Sequence, residues 1–148
     1  MIAQAAKLME LTPEAAARLL AENADEAWLA ELQRSLDREL AQVDLDRILA
    51  VWNLSQTDAA ELFNVSRQAV GKWRSRGVPA GRVEAVSDLA AATDLLLRHL
   101  KRDRIPAVVR RRSAGLAGRS LLDLVAEGRT REVLDVCRRM FRFGEAHV

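Results

Sequence analysis

Residues 54–76 read LSQTDAAELFNVSRQAVGKWRSR. It contains two short helical segments that join at the triplet FNV. Ser55, followed by Asp58 three residues later, has the pattern of a capping box at a helix start. Asn64 lies where a left-handed turn residue is expected, and Ser66 is placed to cap the second helix. The spacing therefore predicts two short helices joined by a tight turn.

The apolar residues of this stretch fall on one side of each predicted helix. The expected buried set is Ala59, Ala60, Leu62, Phe63, Val65, Ala69, Val70 and Trp73. This burial leaves polar side chains pointing outward from the second helix, as a helix that enters the major groove of DNA requires. The outward set is Arg67, Gln68, Lys72 and Arg74.

These outward residue types suit the reading of DNA. Arginine can donate two hydrogen bonds to guanine, and glutamine can pair in bidentate fashion with adenine. Residues at the positive end of the first helix suit phosphate contacts. The backbone-contacting set is expected to be Gln56, Thr57, Ser66, Arg74 and Arg76. Gly71 removes a side chain where the backbone could lie close to DNA. The alternative is an ordinary helical hairpin with a solvated basic face.

Charge is divided unevenly along the chain. Residues 1–64 carry 5 basic and 12 acidic side chains, whereas residues 65–148 carry 18 basic and 9 acidic ones, and the net charge is +2. No acid occurs in residues 65–83. Such a separation can attract a polyanion to one part of the molecule. Because the basic half begins inside the quoted stretch, the pattern favours double-stranded DNA over a merely solvated surface.

The composition indicates a globular, all-α protein. Of 148 residues, 49% are hydrophobic and only 4% aromatic, with alanine, leucine and arginine abundant, which favours helix over sheet. No apolar run reaches the roughly 18 residues that a membrane span needs, and the N-terminus lacks a secretory signal. Cys137 is the single cysteine, so no internal disulfide can form. A cytoplasmic, nucleoid-associated location without membrane contact is expected.

Before the quoted stretch, residues 1–43 are expected to form an N-terminal helical extension. Thr12 and Pro13 start a short helix over residues 15–22, and a long amphipathic helix follows from residue 25. Asp44 is expected to cap a separate helix over residues 45–52. The long helix carries an apolar stripe that could pack on the core or form an intermolecular coil: Leu29, Leu32, Leu36, Leu40 and Val43.

After the stretch, Gly77 is expected to stop the helix in a left-handed conformation. Helices are predicted over residues 82–102, 106–112, 121–126 and 131–142, with Ser120 and Thr130 as caps and Gly128 as a stop. The sequence therefore predicts a helix-turn-helix DNA-binding region at residues 44–81. Residues 82–148 are predicted to form a small helical bundle that could dimerise the DNA-binding part.

The stretch LSQTDAAELFNVSRQAVGKW resembles the helix-turn-helix of the phage-repressor-like (Xre) transcription factors. That family's pattern has Ser-Gln, small residues, Gly-Val-Ser and a tryptophan late in the second helix; here Asn64 replaces the turn glycine. The resemblance implies a five-helix DNA-binding core that docks residues 66–74 in the major groove. Carried over by position, it implies that Arg67, Gln68 and Lys72 face the bases.

A second resemblance covers residues 115–135, GLAGRSLLDLVAEGRTREVLD. This segment is similar to the C-terminal motif of the Xre/MbcA/ParS-type antitoxins, in which a glycine pair, an arginine with a small hydroxyl residue, a leucine-rich helix and a glycine stop precede a closing helix. That family usually has a proline where Ser120-Leu121 stands here. The resemblance implies an antitoxin that neutralises a toxin, commonly an NAD-degrading RES-domain enzyme, and represses its own operon.

Several readings of the C-terminal region stay open. The bundle could have the single role of joining two DNA-binding parts into a homodimer, which fits two-fold operators. If a toxin binds, the expected contact residues are Arg119 and the tail residues Phe141, Arg142, Phe143 and His147, although this tail could equally be a frayed terminus. A basic cluster could grip phosphate, hold an acidic partner or be solvated: Lys101, Arg102, Arg104 and residues 110–112.

Nothing in the sequence indicates an enzyme, a cofactor, a metal site or a small-molecule substrate. Neither His99 nor His147 has a carboxylate at a spacing that would orient it as a base. Cys137 falls on an apolar helix side, so a buried thiol is expected. Two functions remain: an autorepressing antitoxin, or a helix-turn-helix or nucleoid-associated interaction protein with no toxin partner.

Overall fold

The computed structural model describes residues 7–145, with side chains described as far as residue 142. Apart from an isolated bridge between Ser113 and Arg119, these residues form no β-structure, which confirms the all-α prediction. Single turns of 3-10 helix lie at Arg102–Arg104 and Ala114–Leu116. The α-helices are α1 Pro13–Asn23, α2 Glu26–Val51, α3 Gln56–Phe63, α4 Arg67–Arg76, α5 Ala80–His99, α6 Ile105–Arg110, α7 Leu121–Ala126 and α8 Thr130–Glu145.

Helix α2 is continuous, so the prediction that Asp44 caps a separate helix is wrong. Asp44 lies in mid-helix, where its carboxylate accepts a hydrogen bond from Arg47 at 3.4 Å. An aspartate followed by an apolar residue has the same local pattern inside a helix as at its start. The chain divides into two compact units, one ending at Leu36 and the other beginning at Asp37. The functional boundary after residue 43 stays a prediction.

The second unit contains one hydrophobic core, which extends from Ala41 to Cys137. Helix α5 packs along α8, while α3 packs on α4 and α7. Each fully buried leucine or valine side chain contributes roughly 1.5–3 kcal/mol to folding. This core therefore holds α3 and α4 on the same body as the C-terminal helices.

Polar contacts join the helices inside this core. The indole Nε1 of Trp52, at the end of α2, donates to Thr93 Oγ1 on α5 at 3.0 Å, and that hydroxyl donates to the Leu89 carbonyl at 2.7 Å. Asp88 is buried and accepts hydrogen bonds from Thr130 and Arg131 at the start of α8. These bonds fix the ends of α2 and α8 against α5.

Several predicted helix ends need correction. Helix α5 begins at Ala80 and ends at His99, because Leu100 turns to an extended backbone. Thr130 is the first residue of α8 rather than its cap, and its hydroxyl donates to Asp88. Gly77 ends α4 at φ 101° and ψ 154°, a positive-φ conformation but not the left-handed helical one. Gly128, at φ 77°, follows α7 as predicted.

The predicted apolar stripe of the N-terminal extension is mostly uncovered. Leu36, Leu40 and Val43 are exposed, and Leu29 and Leu32 are half-buried. The part of α2 that does pack on the core uses another side, at Ala41, Leu45, Ile48 and Leu49. Among residues 7–145, no helix combines the length and apolar character that a membrane crossing would require.

Candidate nucleic-acid interface

Local capping positions α3 and α4 as the sequence predicts. Ser55 Oγ accepts from the Asp58 amide at 3.0 Å, while Asp58 Oδ2 accepts from the Ser55 amide at 2.8 Å. The bond from the Ser55 backbone lowers the pKa of the Asp58 carboxyl. Asn64 adopts the left-handed conformation, and Ser66 Oγ caps α4 by accepting from the Ala69 amide at 3.0 Å. A capped helix, a tight turn and a second capped helix result.

The inner face of α4 is locked by aromatic packing. Val70 is fully buried, and the rings of Phe63 and Trp73 meet edge to face with centroids 5.7 Å apart. Arg82, on α5, donates to the Phe63 carbonyl at 3.2 Å and lies 5.7 Å from the Trp73 ring centre. Sequence reasoning missed Arg82, because no local pattern marks a contact made across 19 residues.

The outer face of α4 presents the three predicted base-reading residues together. Arg67, Gln68 and Lys72 are all exposed. At 3.6 residues per turn they span an arc of about 140°. Gln68 and Lys72 lie nearly opposite Val70, whereas Arg67 lies one turn before Val70, at the edge of this arc. Within the described residues, neither Arg67 nor Lys72 takes part in an ion pair. The face therefore presents two available cations and an amide; base readout stays a prediction.

Gln56 braces the two helices. Its Nε2 donates to the Arg67 carbonyl at 3.0 Å, and a Cβ added at Gly71 would lie 3.0 Å from the same nitrogen. The space beside Gly71 is thus occupied by Gln56, which corrects the expectation that this glycine opens the backbone towards DNA. Thr57 and Ser66 are exposed at the starts of their helices. Their phosphate contacts stay predictions.

Helix α2 holds the C-terminal end of α4. Gln42 Nε2 donates to the Arg74 carbonyl at 2.5 Å, and Arg74 Nε donates to Asp46 Oδ1 at 2.7 Å. Arg74 is therefore already bound to a carboxylate, whereas Arg76 is exposed and forms no ion pair within the described part of the chain. Of the two arginines predicted to contact phosphate, Arg74 would first have to release Asp46, whereas Arg76 would not have to break an ion pair with a described residue.

The predicted partner-binding residues are spread along the C-terminal helices. Arg119 Nε donates to Glu127 at 2.6 Å. This hydrogen bond, and to a smaller extent the one from Arg129, lowers the pKa of the Glu127 carboxyl. Phe141 is half-buried and stacks on His99 with ring centres 4.3 Å apart. Arg142 is exposed. The Phe143 side chain and the whole of His147 lie outside the described residues.

Arg110 does not belong with the phosphate-gripping cluster. Its guanidinium donates to the carbonyls of Trp52 and Asn53, both at 2.8 Å. It therefore caps the C-terminal end of α2, which removes it from the cluster proposed from sequence. The remaining members are exposed: Lys101, Arg102, Arg104, Arg111 and Arg112.

An apolar cleft with a basic rim opens on the C-terminal helices. It has a volume of about 650 Å³, and we name it the arginine-rimmed cleft. Its rim carries Arg111 and Arg139, and its lining also includes Leu100, Val108, Ser113, Gly115, Leu116, Leu121, Val136 and Met140. Sequence reasoning did not predict it, since its walls come from segments up to 40 residues apart.

Chemically reactive groups are sparse in the described part of the chain. Cys137 is buried as expected, and burial raises the pKa of its thiol to about 12. No group of three or more histidine, cysteine or carboxylate side chains is placed to hold a metal ion within these residues.

Comparison with known proteins gives one informative match. No family model and no curated protein matches the sequence. The structure is similar to the MbcA chain in the crystal structure of the M. tuberculosis MbcT–MbcA toxin–antitoxin complex, with a TM-score of 0.55 and 22% identity. The match covers 67% of this chain and 91% of that chain. The two chains share a fold.

Proposed function

We propose that this chain is a sequence-specific, dimeric DNA-binding protein that represses its own operon and acts as the antitoxin of a toxin–antitoxin pair. The exposed face of α4 carries the DNA-binding proposal. It presents Arg67, Gln68 and Lys72 on a helix whose opposite face is locked by Val70 and Trp73. A recognition helix needs this combination of a fixed inner face and available outer donors.

The base contacts follow from the chemistry of the outer residues. With α4 in the major groove, Arg67 would donate to a guanine and Gln68 would pair with an adenine, each good pair giving roughly 1–3 kcal/mol of discrimination. Lys72 would extend base readout along the helix. Thr57, Ser66 and Arg76 would contact phosphates and set the register of the protein on the duplex.

Two observations support the antitoxin role. The segment at residues 115–135 resembles the antitoxin C-terminal motif, and the fold is shared with MbcA. By this proposal the C-terminal helices bind a RES-type toxin directly, with Arg119, Phe141 and Arg142 among the contacts. In this proposal, Glu127 holds the Arg119 guanidinium in an orientation that lets it also bind a carboxylate of the toxin.

The DNA proposal is tested by fluorescence anisotropy at several salt concentrations. A fragment from upstream of the chain's own gene is compared with a scrambled fragment. The wild type is expected to prefer the natural fragment by at least about a hundredfold, within the usual specificity range. Arg67→Ala/Gln68→Ala should abolish that preference. Arg98→Ala/Gln33→Ala removes the same residue types from exposed positions outside α4 and should leave the preference intact.

Other outcomes of this measurement would count against the proposal. Equal affinity for both fragments with a steep salt dependence would indicate a nucleoid-associated protein that binds through phosphates alone. No binding to either fragment would refute DNA recognition by α4.

The antitoxin proposal has a separate test. The chain is co-expressed with a candidate toxin encoded beside its gene, and growth and co-purification are measured. Growth rescue together with a stable complex is expected, and Arg119→Glu should weaken both. Arg98→Glu, which reverses an exposed charge elsewhere, is the matched control. If the toxin is neither bound nor neutralised, the antitoxin role fails, and the DNA result is unaffected.

A further inference from the structure

Helix α2 has a second apolar face that nothing in the described chain covers. Leu40 is 63% exposed and Val43 is 65% exposed, and Ala50 is exposed on the same side. The opposite side of the helix is buried at Ala41, Leu45 and Ile48. Exposed apolar side chains that cluster on one face are a feature of interaction surfaces, so we expect this face to have a partner.

Acidic side chains border this face on both sides. By helical geometry, Asp37 lies beside Leu40 on one side and Glu39 lies on the other. Both carboxylates are exposed, and neither forms an ion pair within the described residues. Arg47 lies on the face too, but it is bound to both Asp44 and Asp94. We name Leu40, Val43 and Ala50, with Asp37 and Glu39, the acid-flanked stripe.

The arginine-rimmed cleft has the complementary character. Its floor is apolar, and Met140 at its edge is 43% exposed. Arg111 and Arg139 on its rim form no ion pair within the described residues, and no acid lines it. The stripe and the cleft belong to the same compact unit, yet both are open, so the stripe does not fill the cleft of its own chain.

We propose that the acid-flanked stripe of one copy docks in the arginine-rimmed cleft of a second copy of this chain. Charge complementarity selects this occupant, because Asp37 and Glu39 would face Arg111 and Arg139 while the apolar residues fill the cleft. Pairing of the stripe with the same stripe would instead bring acids against acids. A contact between two different surfaces closes as a two-fold dimer when both copies exchange it. The proposed contact between two copies does not depend on DNA binding by α4.

Paired charge reversals test this contact on the full chain, with mass measured by light scattering and dissociation constants by sedimentation. Reversal of the stripe (Asp37→Arg/Glu39→Arg) or of the cleft (Arg111→Glu/Arg139→Glu) should each weaken self-association at least about tenfold through like-charge repulsion. An equimolar mixture of the two variants should recover association, because both contacts between unlike copies again pair opposite charges. Glu84→Arg and Arg98→Glu, both exposed outside the two surfaces, should have no effect.

Cysteine cross-linking provides an independent readout of proximity. A Val43→Cys chain is mixed with a Met140→Cys chain under mild oxidation, and a disulfide-linked heterodimer is expected in the mixture above the level in either chain alone. Cys137 does not interfere, because its thiol is buried.

Three results would overturn the proposal. One is a wild-type chain that stays monomeric at high concentration, which would show that the acid-flanked stripe binds a different protein and not a second copy. Another is self-association that neither reversal weakens, which would place the interface elsewhere, for instance on the exposed apolar residues before Leu36. The third is a failure of the mixed variants to re-associate while each remains folded by circular dichroism.

Discussion

At the scale of single residues, Gln56 and Gly71 depend on each other. The Gln56 amide bridges to the Arg67 carbonyl by passing over Gly71, where a Cβ would lie 3.0 Å from its nitrogen. Glycine in a helix interior costs about 1 kcal/mol relative to alanine, and a net hydrogen bond is worth about 0.5–1.5 kcal/mol. The two effects are similar in size, so the glycine is tolerated where the bridge forms.

This dependence predicts non-additivity in a double-mutant cycle. Gly71→Ala alone should change the free energy of unfolding by less than about 0.5 kcal/mol, because the gain in helix propensity is offset by displacement of the Gln56 bridge. In the Gln56→Ala background the same substitution should stabilise by about 1 kcal/mol. Urea denaturation measures both values. Equal effects in the two backgrounds would show that Gln56 and Gly71 are independent.

Arg82 is the second residue whose role is positional. It joins the end of α3 to α4 through the Phe63 carbonyl and the Trp73 ring. Arg82→Ala should destabilise the chain by about 1–2 kcal/mol through loss of the hydrogen bond and the cation–ring contact. Arg82→Lys should restore only part of this, since an ammonium cannot reproduce the planar guanidinium. Arg98→Ala, exposed on the same helix, should be near neutral in the same urea titrations.

At the scale of elements, both capping boxes make stability depend on pH. Bonds from the backbone of Ser55 and of Ser120 lower the pKa of Asp58 and of Asp123 in the folded state. A lowered folded-state pKa contributes stability that is complete above the unfolded value of about 3.9 and is lost as pH falls through the folded value. The free energy of unfolding should therefore decrease on acidification below about pH 4.

Asp58→Asn/Asp123→Asn should flatten this acid limb, because an amide does not titrate. The measurement is the free energy of unfolding across the acid range, compared with wild type and with Glu84→Gln, an exposed acid on α5. A double variant whose acid limb is as steep as the wild-type one would show that other carboxylates, such as Glu127, control the transition.

The elements also show which structural features a sequence can predict. Caps and turns at Ser55, Asn64, Ser66 and Ser120 were predictable because each depends on residues three or four positions away. Asp44 was misread because an aspartate before an apolar run is compatible with either a helix start or a helix interior. The contact between Arg110 and Trp52 spans 58 residues, and the cleft is assembled from distant segments, so no local pattern could indicate them. The exposed side of α4 was predictable from periodicity alone.

At the scale of the whole molecule, the unit that begins at Asp37 should unfold as one body. Its helices share a single core, and Trp52 on α2 donates to Thr93 on α5 in that core. Thr93→Val would leave the buried indole nitrogen without an acceptor, at a cost of about 1–3 kcal/mol. In Thr93→Val, the urea midpoints of unfolding measured by tryptophan fluorescence and by circular dichroism should therefore decrease together. Thr57→Val, at an exposed position, should change neither midpoint. Different midpoints for the two signals would show that the helix-turn-helix and the C-terminal helices unfold independently.

Among the described residues, one ion pair joins the acidic half of the chain to helix α4 on the candidate DNA surface. Asp46, from the acidic half, binds Arg74 on α4 at 2.7 Å, and DNA phosphate would compete with it for the same guanidinium. Asp46→Asn should therefore raise DNA affinity at low salt and steepen the dependence of log K on log salt by about 0.9 for one added phosphate contact.

The matched control is Glu22→Gln, which removes one exposed negative charge far along the sequence from α4. If both substitutions change affinity equally, the effect is the overall field of the protein, and Arg74 makes no phosphate contact. A gain confined to Asp46→Asn, and abolished by adding Arg74→Ala, would instead show that Arg74 contacts DNA once Asp46 releases it. The acidic half would then limit the affinity of α4 for DNA through this single ion pair.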